Sequence, residues 1–179
     1  MENELPDGPY ESYHENGQLR LKETYNKGGL KDGTYEMYNA NGHLSHKQSF
    51  KNGKRDGPDQ RYYADGQLKE ITTFKNGLPD GPCEQYYPDG QLFMKATNKP
   101  CNSISEMLLR PLVGPCEHYY ENGQLEQKTT YNKDGELEGP YEYYHENGQL
   151  KQKATHKDGE LEGPYEMYYE NGHLREKAT

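Results

Sequence analysis

The sequence has no tryptophan, three phenylalanines and three cysteines, and apolar residues fill 30% of its 179 positions. So thin a supply of Leu, Ile, Val and Phe excludes the sizeable closed core that a sandwich or barrel requires. An odd cysteine count does not make a disulfide framework. No stretch approaches the roughly 18 apolar residues of a membrane span, and residues 1–7 lack the basic and apolar regions of a secretory signal. A cytoplasmic location is therefore expected. Cations are also in deficit, 21 Lys and Arg against 30 Asp and Glu, for a net charge of -9. This balance argues against a nucleic-acid groove and against attachment to an anionic membrane, since both need excess positive charge. It suits a protein partner with a basic surface.

Polarity alone describes a disordered chain. The 18 tyrosines and 20 glycines reverse that reading, because they recur in fixed register. Gly8, Gly33, Gly57, Gly81, Gly114, Gly139 and Gly163 open successive copies of one unit, at spacings of 25, 24, 24, 33, 25 and 24 residues. A period in this range signals an array whose units bury their apolar faces by stacking on their neighbours. Tyrosine suits such an array, since it carries a large apolar ring under a polar tip. The expected fold is all-β: an elongated single-layer antiparallel meander of about seven β-hairpin repeats. It forms one domain over residues 8–179, behind a lead-in at 1–7 and with one irregular insertion at 98–113.

Each copy runs from Gly-Pro or Gly-Thr through Tyr-Glu-x-Tyr to an Asn-Gly or Asp-Gly pair, then resumes with Gln-Leu or His-Leu. The pairs at Asn16-Gly17, Asn41-Gly42, Asp65-Gly66, Asp89-Gly90, Asn122-Gly123, Asn147-Gly148 and Asn171-Gly172 predict two-residue type I′ turns. Lys133-Asp134-Gly135 and Lys157-Asp158-Gly159 mark returns to the next hairpin. A two-residue turn sets Glu11 opposite Lys22 and His14 opposite Leu19. The same offset pairs Glu36 with Lys47, Glu84 with Lys95, Glu117 with Lys128, Glu142 with Lys153 and Glu166 with Lys177, all attractive. In the third copy both partners change together, to Gln60 and Ile71.

Alternation along the strands divides the sheet into two faces. One carries the glutamate–lysine ladder and the constant tyrosine (Tyr13, Tyr38, Tyr62, Tyr86, Tyr119, Tyr144, Tyr168). The other is expected to carry the constant leucine (Leu19 to Leu174) and the columns that vary from copy to copy. Constant columns hold an array together; variable ones individualise it for a partner. The partner-binding candidates are accordingly Asp59, Arg61, Tyr63, Tyr87, Tyr120, Tyr143 and Tyr169. Glu106, Met107, Leu108, Leu109 and Arg110 of the insertion join them, within the chain's richest aliphatic cluster. Ser103 and Glu106 have capping-box spacing and Pro111 stops a helix, so one or two helical turns are expected there. Either the insertion packs back on the sheet or it docks a partner.

No catalytic residue, metal site or cofactor is expected. A regular glutamate column facing lysines is cross-strand pairing rather than an acid–base pair. The histidines replace Tyr or Gln within columns, and neither C-x-x-C nor H-E-x-x-H spacing is present. The glycines belong to turns, with no helix after them to hold a phosphate. Cys83 and Cys116 fall in one column about two interstrand steps apart, roughly 9.6 Å, too far for a disulfide. Cys101 could reach either only if the insertion folds back, so all three are expected to be free thiols filling apolar space.

The unit Gly-Pro-Tyr-Glu-x-Tyr-Tyr-x-Asn-Gly-Gln-Leu, which residues 139–150 follow with His145 in place of the second paired tyrosine, resembles the variant class of MORN repeats found in many bacterial proteins. Chains built almost wholly of it resemble the YwqK family of antitoxins. The resemblance covers residues 7–179 apart from the insertion. It implies an open array of β-hairpins and a non-enzymatic module that neutralises a partner toxin by direct binding. The alternative is a structural scaffold or membrane-associated adaptor, the role associated with eukaryotic MORN repeats, whose tryptophan and net basic charge this chain lacks. The oligomeric state is left open.

Overall fold

The structure is a computed structural model that describes residues 7–99 and 112–178. The expected helical turn, Cys101 and the insertion candidates Glu106, Met107, Leu108, Leu109 and Arg110 lie outside the described residues. Seven hairpins follow in order: β1 (Gly8–Tyr13) with β2 (Leu19–Tyr25), β3 (Gly33–Tyr38) with β4 (Leu44–Lys51), β5 (Lys54–Tyr62) with β6 (Leu68–Lys75), β7 (Leu78–Tyr86) with β8 (Leu92–Asn98), β9 (Gly114–Tyr119) with β10 (Leu125–Tyr131), β11 (Gly139–Tyr144) with β12 (Leu150–Lys157), and β14 (Tyr165–Tyr168) with β15 (Leu174–Ala178). The short β13 (Glu160–Leu161) pairs with β12. All form one antiparallel sheet in which each strand lies beside its sequence neighbour, as the repeat predicts, and the described residues contain no helix.

The hairpin tips differ from expectation. The Gly17 N–H donates to the His14 carbonyl (2.9 Å) and the His14 N–H to the Gln18 carbonyl (2.8 Å). Gly17 sits at φ 82°, but Asn16 is not among the residues with positive φ. The tip is thus a type I turn followed by a left-handed glycine, a three-residue loop. The asparagine side chain selects it: Asn16 Oδ1 accepts the Gln18 N–H at 3.1 Å, a bond available to Asn or Asp alike. Asp65 with Gln67 and Asn147 with Gln149 repeat it at 3.0 Å. Type I′ turns do occur, on the returns. Asn52-Gly53, Asn76-Gly77 and Asp158-Gly159 have both residues at positive φ and close the pairs Lys51–Lys54, Lys75–Leu78 and Lys157–Glu160.

The return turn also explains the unequal spacing. Copies opening at Gly8 and Gly114 return through the longer loops 26–30 and 132–136, closed by Asn26 N–H to Leu30 O (2.9 Å) and Asn132 N–H to Glu136 O (2.8 Å). Those are the copies that take 25 residues to reach the next opening glycine rather than 24.

Three-residue tips shift the register by one, so Leu19 faces Tyr13 and not His14. A β-bulge at Arg20 then restores the offset, and Ser12–Leu21 and Glu11–Lys22 pair as anticipated. Every hairpin repeats this, with Ser45, Lys69, Phe93, Glu126, Lys151 and Arg175 as the extra residue. The leucine column is therefore placed on the face of the constant tyrosine, contrary to the alternation drawn without a bulge, because paired residues project to the same side.

Across the sheet the row Glu11, Lys22, Glu36, Lys47, Gln60, Ile71, Glu84, Lys95, Glu117, Lys128, Glu142, Lys153, Glu166, Lys177 is continuous, each residue paired to the next. The constant tyrosine hydroxyl donates to the glutamate two residues earlier, at 2.7–2.9 Å in Tyr13, Tyr38, Tyr119 and Tyr144, and likewise in Tyr86 and Tyr168. The opposite face holds the buried side chains Glu23, Tyr25, Asp59, Phe74, Cys83, Ala96, Asn98, Cys116, Thr129 and Ala154. A flat single layer would bury neither side, so the bulged sheet curls over this inner face. Cys83, Ala96 and Cys116 pack together at its centre, with both thiols free as expected.

Candidate functional site

Between β5 and β8 the inner face opens into a groove of about 410 Å³, floored by Phe74, Cys83, Met94 and Leu112 and walled by Arg55, Asp59, Arg61, Glu70 and Asn98. It lies where the third copy interrupts the charged row with Gln60 and Ile71. Asp59 is 5% exposed. One carboxylate oxygen accepts from His46 Nε2 at 2.6 Å; the other accepts from Gln48 Nε2 at 2.8 Å and Arg55 Nη1 at 3.2 Å. Burial by itself would raise this carboxyl, but the His46 ring and then the Arg55 guanidinium outweigh it and hold the group below its ordinary value. Arg55 also lies over the Phe74 ring, 4.2 Å from its centre. Asp59 thus organises the groove wall from within and offers no free oxygen.

Arg61, in the same strand and exposed, has no hydrogen bond or ion pair among the described residues. Asn98, 7% exposed, has an Nδ2 without a hydrogen-bond partner among the described residues. The groove therefore presents two kinds of donor, a guanidinium and an amide, above an apolar floor. That combination recognises a carbonyl or carboxylate attached to an apolar group. The Cys116 Sγ lies 4.0 Å from His118 Nδ1, but burial raises the thiol to about 11 and, acting on the imidazole, lowers it, so both groups stay neutral. Among the described residues no three His, Cys, Asp or Glu side chains gather to hold a metal ion.

The tyrosines following the constant column have a second task. Tyr63, Tyr87 and Tyr120 donate their hydroxyls to the backbone carbonyls of Tyr86, Tyr119 and Tyr144 in the next hairpin, at 2.7, 2.8 and 2.7 Å. His14 and His145 do the same with Nε2, to Tyr38 (2.8 Å) and Tyr168 (3.0 Å). These side chains strut successive hairpins, and each ring stays partly exposed for contact. Tyr143 donates to Glu126 at 3.0 Å and lies under the Lys151 ammonium, 4.8 Å from the ring centre. Tyr169, 53% exposed, stands in the last hairpin.

Of the candidates, then, Asp59 and Arg61 share the groove, Tyr63, Tyr87 and Tyr120 run along the struts, Tyr143 neighbours that line, and Tyr169 is apart. Sequence reasoning missed Arg55, His46, Glu70 and Asn98. A signal existed for Arg55: two residues before the opening glycine, Leu112, Leu137 and Leu161 give way to Lys31 and Arg55, and both cations hold buried acids, Lys31 reaching Glu23 at 2.7 Å. The bulged residues were also missed. Lys69 and Arg175 lean on Tyr63 and Tyr169, and Phe93 meets Tyr87 edge-on at 5.2 Å.

No helix among the described residues is long and apolar enough to cross a membrane. Comparison with curated proteins finds no match. The family described as MORN repeat variant matches residues 6–27, 31–52, 55–76, 79–97, 112–133, 137–158 and 161–179, one segment per hairpin. With the matches spanning most of its length and each falling on a strutted, bulged hairpin of one sheet, the chain belongs to the MORN repeat variant family.

Proposed function

We propose that this protein is a non-enzymatic binding module of the antitoxin or immunity type, resembling the YwqK family, which neutralises a toxin by covering it. MORN repeats are often protein-binding modules. The observation that carries the reading is the groove over the third and fourth hairpins, where Arg61 and Asn98 stand over an apolar floor. A partner side chain or loop carrying a carbonyl or carboxylate seats there. Farther along the sheet, the tips of the last three hairpins bear Glu121, Glu146 and Glu170, and with the net charge of -9 they favour a partner whose surrounding surface is basic. Half-buried, hydroxyl-anchored tyrosines add rigid contact area.

The test is co-expression in cells with the product of each adjacent gene. Relief of toxicity by the intact protein, lost in Arg61→Glu, is the expected result. If no neighbouring product is toxic, or if relief survives Arg61→Glu unchanged, the reading fails. Because Arg61→Glu sets a second carboxylate opposite Glu70, a thermal melt of the variant separates lost contact from lost fold.

A further inference from the structure

The two edges of the sheet are complementary to each other. β1 and β15 are its outermost strands, each paired on one side only among the described residues. At the junctions between hairpins a lysine meets the next glutamate: Lys22 with Glu36, Lys95 with Glu117, Lys128 with Glu142 and Lys153 with Glu166. The row ends in Lys177 on β15 and begins with Glu11 on β1. From these ends we infer that the chain associates head to tail, β15 of one copy adding to β1 of a second copy.

Three independent features fit that junction. The strut column ends in Tyr169, whose hydroxyl has no partner among the described residues, whereas Tyr120 and His145 reach the next hairpin's backbone; the matching acceptor on a second copy is the Tyr13 carbonyl. Asn122 and Asn147 donate Nδ2 to the next tip, at Glu146 O (2.9 Å) and Glu170 O (2.8 Å); Asn171 repeats the residue, and the matching acceptor on a second copy is the Glu15 carbonyl. Several of the large apolar side chains left exposed lie at these edges: Tyr10 and Tyr13 on β1, and Tyr169 and Leu174 in the last hairpin. An exposed strand edge is a template for pairing, and a heterologous contact of this kind extends into a chain of copies or closes as a ring. The inference does not depend on the identity of any toxin.

Sedimentation of the full chain over a range of concentrations tests it. The mass is expected to rise with concentration past that of a dimer. Lys177→Glu and Glu11→Lys should each weaken association roughly tenfold or more, and mixing the two variants should restore it, since each then meets its opposite charge. Tyr169→Phe, which removes only a hydroxyl, should weaken association without altering the thermal melt. A monomer at every soluble concentration overturns the proposal. So does association that stops at a dimer and responds to only one of the two charge reversals, the mark of an edge pairing with its own kind.

Discussion

The Lys153 ammonium lies 2.8 Å from Glu166 of the following hairpin, although within its own hairpin its ladder partner is Glu142. Lys177 reaches the same carboxylate at 2.8 Å from the other side, and Tyr168 donates to it. Lys153, then Lys177, then Tyr168 lower the Glu166 carboxyl from an ordinary 4.5 to about 2. A depressed carboxyl contributes stability that is present above its ordinary value and lost as pH falls through its folded value. Thermal melts should therefore show a loss between about pH 4.5 and 2, and Glu166→Gln should melt lower at neutral pH while losing less across that window.

Restoring the row should stabilise the third hairpin. Gln60 faces Lys47, and Ile71 faces Glu84, so Gln60→Glu and Ile71→Lys each gain an opposite charge, and together they gain each other. A double-mutant cycle by urea unfolding should give a favourable coupling of about 0.2–1 kcal/mol.

Tyrosine ionisation should come late. The bond to Glu84, then burial, raises Tyr86 from 10.0 to about 12; burial first and the glutamate bond second do so for Tyr119 and Tyr144. A raised pKa contributes stability fully present below the ordinary value and lost as pH rises through the folded one. Ultraviolet titration of tyrosinate should leave these residues neutral at pH 10, with unfolding and ionisation together as pH approaches about 12.

At a hairpin tip, Asn147 accepts the Gln149 N–H at 3.0 Å and donates to Glu170 O at 2.8 Å. Asn147→Ala removes both bonds and should cost about 1–2 kcal/mol by urea unfolding. Asn147→Asp keeps the first bond only and should fall between, as the native Asp65 and Asp89 tips allow.

The pairing of Glu11 with Lys22 was legible because seven copies within one chain show the two charges varying together. The bulge at Arg20 was not, because the longer tip and the extra residue cancel beyond Ser12, leaving every charged pair where a simpler hairpin would put it. Leu19 alone betrays the difference, and an aliphatic residue suits either face. Asn-Gly read correctly as a turn but not as which turn: the dipeptide is left-handed at both positions in Asn52-Gly53 and only at glycine in Asn16-Gly17, according to how many residues separate the strands. Asp59 and Arg61 were found by departing from their columns. Asn98 was not, since its isolation comes from the curl of the sheet rather than from its neighbours in sequence.

Because each strand pairs with its sequence neighbour and β1 and β15 occupy opposite edges, tension applied at the two outer strands would load this protein as a zipper. Each ladder parts one hydrogen bond after another, rather than resisting as a block sheared along its length. The struts at Tyr63, Tyr87 and Tyr120, each crossing to the next hairpin, become the catches of that zipper. The chain would lengthen in steps of one hairpin, 24 or 25 residues where the repeat is regular, so that a partner held across several hairpins also fixes how far the array can be drawn out.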